Sequence, residues 1–106
     1  MIQQILTIES GVAISSSDII PDKRTLVGIV FPATMNGTAT FILEMSVDSG
    51  GTYVEVFTSA NALFSSGYTQ DKVIPLPEVN VSVLSTYRIR VATNQTAIRT
   101  IKALIK

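Results

Sequence analysis

Two carboxylates, Glu44 and Glu55, stand on strand-like runs that meet at Asp48-Ser49-Gly50-Gly51. A two-residue or a four-residue loop gives those runs the same antiparallel register. Leu43 then lies opposite Val56, Met45 opposite Val54, and Glu44 opposite Glu55. Directly opposed residues are about 5 Å apart at Cβ, a separation compatible with the paired carboxylates of glycoside hydrolysis. A sugar site also needs a cleft and aromatic platforms, and the chain has no Trp. The pair therefore reads as a solvated or Arg-paired surface pair.

The same register sorts the hairpin into two faces. Phe41, Leu43, Met45, Val47, Val54 and Val56 share one face and read as core. A slip of one residue would turn Glu55 onto that face, and an unpaired buried carboxylate costs several kcal/mol. The other face sets Ile42 against Phe57, Glu44 against Glu55, and Ser46 against Tyr53. Like charges directly opposed are unfavourable, so a cation should compensate. In residues 86–92, Tyr87, Ile89 and Val91 face one way, and Arg88 and Arg90 face the other. This strand is expected to border the hairpin sheet, or to supply its charge from a neighbouring subunit.

Other constellations are weaker. The Asp48 turn lacks the series of oxygen ligands of a calcium loop and the Gly-Lys-Ser/Thr ending and following helix of a phosphate loop. Two arginines beside Tyr87 in a neutral chain read as a salt-bridged strand face rather than a nucleic-acid site. The outward Ile42 and Phe57 are either covered by a loop carrying Phe64 or Tyr68, or form a protein–protein patch. The run from Ile2 to Leu6 reads as an arm that could pair with a neighbouring subunit's sheet edge. The expected contact residues are Ile2, Ile5, Ile42, Tyr53, Phe57, Phe64 and Tyr68. No catalytic, cofactor-binding or metal-ligating set is expected.

Composition narrows the classes further. Length, 106 residues, fits one domain with a small core. Apolar residues make up 46% and charged ones 15%, which argues against disorder and for a surface partly covered by something other than water. Eight basic residues balance eight acidic ones, so no footprint for nucleic acid or an anionic membrane is expected. Cys and His are both absent, which removes most zinc sites and the Ser-His and Cys-His nucleophile systems. The first residues lack the basic and apolar regions of a signal peptide, so use without export is expected. The longest apolar stretch, 26–33, is far short of the roughly 20 residues that span a bilayer.

No window carries a helical period, and turn signals recur about every 8–12 residues, the spacing of a sandwich or barrel. Eight strands are expected near 2–8, 25–31, 41–47, 52–58, 72–74, 78–84, 86–92 and 97–105, with room for a further short one at 11–17 and a turn at 18–23. The 25–31 run is apolar on both faces and reads as a central strand. The expected fold is an all-β antiparallel β-sandwich of about eight strands, jelly-roll-like. Residues 1–24 form an N-terminal strand or arm, and 25–106 the body of a single domain.

Thr25-Leu26-Val27-Gly28-Ile29-Val30-Phe31-Pro32-Ala33, then Thr40-Phe41, Ser46-Val47-Asp48-Ser49-Gly50-Gly51-Thr52-Tyr53 and Tyr87-Arg88-Ile89-Arg90 carry a resemblance. Together they resemble a class of small tailed-bacteriophage virion proteins, most closely capsid decoration (cement) proteins. The resemblance runs from about residue 25 to 105. It implies a jelly-roll β-sandwich, no enzyme activity and no cofactor. It also implies contacts with the major capsid protein and with copies of itself, as a homo-oligomer that could be a trimer. The protein would be made in the host cytoplasm and located in the virion. Two alternatives stay open: a carbohydrate- or receptor-binding module of a tail or fibre, with exposed aromatics around Tyr53, Phe64 and Tyr68, and a head–tail adaptor.

Overall fold

The computed structural model describes residues 2–20, 24–38, 40–46, 48, 51–55, 65–67, 71–79 and 86–106. The described residues form nine strands: β1 (Ile2–Ile8), β2 (Asp18–Ile19), β3 (Leu26–Val30), β4 (Thr40–Ser46), β5 (Val54–Glu55), β6 (Ser65–Gly67), β7 (Val73–Val79), β8 (Thr86–Val91) and β9 (Arg99–Ile105). Period-2 alternation builds most of them. In β9, Ile101, Ala103 and Ile105 are buried while Thr100 and Lys102 are exposed. In β8, Tyr87, Ile89 and Val91 point inward.

Antiparallel pairing follows a nested order. β4 pairs with β5 and β6, β3 with β7, β2 with β8, and β1 with β9. This is one long hairpin whose tip is the Asp48 turn. Rolling it up adds two pairings, β3 with β9 and β4 with β8. Two sheets result, β1-β9-β3-β7 and β2-β8-β4-β5, with β6 continuing the flank of β4 that β5 begins. A nested hairpin rolled into two facing sheets is the jelly roll, and the chain is an all-β antiparallel sandwich of that kind.

Several elements differ from expectation. The N-terminal residues form no free arm: all seven residues of β1 pair with β9, and Ile2 packs against the core. The stretch 18–23 opens with strand β2 rather than a turn. β7 runs straight through Pro75 and Pro77 where a short strand was expected to stop. Among the described residues β7 is an edge strand, where proline is tolerated because no strand on its second flank calls for donors. Val54, expected in the core, is 56% exposed. It belongs to a two-residue strand on the sheet's flank, where fewer neighbours cover it. Val47 and Val56, expected on the same core face, lie outside the described residues.

The core lies between the sheets. Leu6, Ile8, Leu26, Ile29, Ile101 and Ile105 of the first meet Phe41, Leu43, Tyr87 and Ile89 of the second. Phe31 and Phe41 pack at 5.3 Å between ring centroids, tilted by 48°. Polar groups close this space at two places. The Tyr87 hydroxyl donates to Gln4 Oε1 at 2.5 Å, and Gln4 Nε2 donates to the Ile19 carbonyl at 2.9 Å. Ser15 and Ser16 stitch the sheets along one side: Ser16 N donates to Thr7 O, and Ser15 N to Ile89 O. Their hydroxyls accept in return, Ser16 Oγ from Thr7 N and Ser15 Oγ from Ile89 N, each at 2.9 Å.

One end of the sandwich is clasped by a buried amide. Gln95 Oε1 accepts from Asn36 N at 2.9 Å, and Gln95 Nε2 donates to Thr93 O at 2.9 Å and Asn36 O at 3.2 Å. Asn36 Oδ1 in turn accepts from Thr96 N and Arg99 Nη2. The loop after β3 is thereby held against the loop before β9. Gly37 allows the approach: its φ is +82°, and a β-carbon there would collide with the Thr93 side chain.

Gly37→Ala should therefore destabilise the fold by about 2 kcal/mol or more, read as a lower urea midpoint with unchanged m-value. For Tyr87, burial pushes the phenol well above its ordinary value of 10.0, and the Asp18 charge adds to the shift. A raised native pKa means that this stabilisation is complete below pH 10 and falls away as pH rises beyond it. Spectrophotometric titration of folded protein near pH 11 should be unchanged by Tyr87→Phe, with the tyrosine reference value near 10 setting that pH. The unfolded chain should lose one of its three tyrosinate signals.

Candidate functional site

The hairpin and β8 meet on the outward face of the five-stranded sheet. β4 lies between β5 and β8, with Glu44 paired to Glu55 on one side and to Arg88 on the other. Ile42 lies opposite Arg90. Strand β8 thus borders the hairpin within one molecule and brings both arginines to Glu44.

The carboxylate is held at both oxygens. Arg88 Nε donates to Glu44 Oε1 at 2.7 Å, and Arg90 Nη2 pairs with Oε2. Glu44 is only 2% exposed, so it is a buried charge rather than the surface group expected. Burial of a carboxylate is tolerable because two guanidinium groups replace its hydration. Arg88 also lies over the Tyr53 ring, 3.9 Å from its centroid, a cation–π contact. Arg90 is more open, with 41% of its side chain exposed. Its Nε is buried and has no acceptor among the described residues.

Glu55 is exposed and forms no ion pair among the described residues. The two arginines thus compensate Glu44 alone. The face carries an excess of positive charge along β8 and an unmatched negative charge on β5.

Two exposed isoleucines flank this surface. Ile14 bridges to Arg90 and Ile19 pairs with Thr86, so both project to the arginine side. Neither stands out in the sequence, because neither lies in a long alternating run. Ile42 is half-buried on the same side. The other expected contact residues are dispersed. Ile5 is exposed on the outward face of the opposite sheet, paired with Lys102, and Ile2 belongs to the core packing. Phe57, Phe64 and Tyr68 lie outside the described residues.

The Asp48 turn is scaffold. Asp48 Oδ1 accepts from the Ser46 hydroxyl at 2.5 Å and from Thr52 N at 2.8 Å. Those two bonds, the hydroxyl first, hold its carboxyl below the usual carboxylate value. Among the described residues, no three Asp, Glu, His or Cys side chains are grouped to hold a metal ion. A groove of about 270 Å³ lies elsewhere, lined by Val30, Pro32, Asp71, Thr100 and Lys102 among others.

What the arrangement offers is recognition. Tyr and Arg, here beside exposed Ile, are residue types that carry much of the binding energy at protein interfaces. No protein-family model, no curated protein and no solved structure matches this chain.

Glu44→Gln should reveal the charge balance directly. It leaves two part-exposed arginines facing each other with no anion between them. The expected loss is about 1–3 kcal/mol, below the value for a fully buried pair because both arginines reach solvent. Chemical denaturation measures it, and the loss should shrink at high salt as the repulsion is screened.

Proposed function

We propose that this chain is a non-enzymatic structural protein acting through protein–protein contacts of its five-stranded sheet, as a decoration (cement) protein of a tailed-bacteriophage capsid. The observation that carries the contact reading is the outward face itself. Arg88 stacked on Tyr53, half-exposed Arg90, and exposed Ile14 and Ile19 stand together on one sheet. Such a face suits a broad, shallow protein partner, and the major capsid protein is the partner that the sequence resemblance implies. The jelly roll agrees with that resemblance. The ion pairs beneath the patch keep its side chains in place before binding, which lowers the entropy lost on contact.

The sugar-binding alternative has less support. Stacking of a sugar needs an open aromatic face, and the Arg88 guanidinium occupies one face of Tyr53.

The test is location and attachment. Purified capsids should carry the protein in regular array, and capsids lacking it should rebind it from solution and resist heat or chelation better afterwards. Absence from particles, or failure of empty capsids to bind it, would overturn the virion role. Tyr53→Ala combined with Ile14→Asp should weaken rebinding by about tenfold or more while far-UV circular dichroism stays the same.

A further inference from the structure

We propose that two copies of this chain pair face to face through their five-stranded sheets, about a two-fold axis running along β4. The inference rests on reading that face as a contact surface, and it names a second copy as an occupant. Charge placement carries it. The register sets Arg88, Glu44 and Glu55 in one row across β8, β4 and β5. Glu44 is neutralised by the two arginines. What remains is positive on one flank of β4 and negative on the other, and among the described residues no ion pair joins Arg90 to Glu55.

Neighbouring strands are about 4.8 Å apart, so β8 and β5 lie roughly 10 Å from each other across β4. A two-fold axis along β4 exchanges the flanks and keeps height along the strand. It lays β5 of the copy over β8, and Glu55 of the copy over the strand that carries Arg88 and Arg90. Symmetry repeats the contact, giving two identical charge pairs. The other in-plane axis, perpendicular to the strands, would lay β8 over β8 and β5 over β5. That stacks arginine on arginine and Glu55 on Glu55, so electrostatics selects the first arrangement.

The remaining groups fit this packing. Ile14 and Ile19 extend the β8 flank with apolar surface. The molecule measures 34 × 28 × 27 Å, so one sheet face can supply a contact of the standard size, roughly 800 Å² per partner.

Sedimentation of the isolated full chain tests the pairing. Wild type should sediment as a dimer at submillimolar concentration, with a Kd that rises with salt. Glu55→Arg sets arginine against the β8 arginines at both symmetric places. It should raise the Kd by about a hundredfold or more and leave a monomer. Because Glu55 is exposed and has no ion pair among the described residues, circular dichroism should not change, and melting should match wild type once both are diluted to monomer, with the wild-type Tm alone rising with concentration. Glu55→Gln removes attraction without adding repulsion and should fall between. A wild-type monomer, or a Glu55→Arg dimer as tight as the wild-type one, would overturn the proposal. Particle binding separates it from the virion role: a monomer that decorates capsids defeats only the two-fold pairing, and a charge-sensitive dimer absent from capsids defeats only the capsid role.

Discussion

A single buried carboxylate ties the jelly roll together. Glu44 sits at the middle of β4, the strand that is both an arm of the hairpin and the neighbour of β8. Its two oxygens take one arginine each from β8. A slip of the β4–β8 ladder by one residue would set Glu44 against the face of Tyr87 and Ile89, leaving its charge in the core. The ion pair thus fixes register as much as it adds stability. Its net contribution is modest, because desolvating three charges offsets much of their attraction. Its specificity is large, because such a slip strands a charge.

From that register the rest of the rolled hairpin follows. Once β4 and β8 are locked, β2 continues the same sheet and β9 leaves β8 toward the other. The Ser15–Ser16 stitch and the Gln4–Tyr87 bond then join the sheets where a sandwich would otherwise be open. These are polar closures of an apolar core, and each of their polar groups has its partner. Gln95 plays the same part at the loop end, satisfying a turn whose backbone would otherwise lose its hydrogen bonds to burial.

The hairpin, the faces of β4 and the inward side of β8 were legible because strand alternation is local and the turn residues fixed the register. Charge balance extended this over 44 residues, from Glu44 to Arg88: like charges opposed on one strand pair demand a cation, and alternation offered two in one place. Burial of Glu44 was not legible, since it depends on how two long side chains fold over a third. Nor were the amide clasp and the Gln4–Tyr87 bond, which join residues 59 and 83 positions apart through polar groups that read as ordinary turn or strand residues. The length of β7 was not legible, because proline forbids a central strand but not an edge, and edge position is a property of the sheet rather than of the segment. Val54 failed for the same reason: facing the core is not burial when the strand lies at a flank.

The same distinction bears on the contact surface. The hairpin register predicts which residues share a face, and it placed Tyr53, Glu55 and Ile42 with the arginines. It could not say which of them the fold would satisfy internally. The structure divides them: Glu44 is neutralised by Arg88 and Arg90, Tyr53 is half covered by Arg88, and Glu55 and Arg90 keep charge turned to solvent. An internally neutralised row would have made an inert sheet. A row that neutralises its centre and leaves opposite charges on its two flanks is asymmetric across β4, and that asymmetry is what a reversed copy of the same face complements.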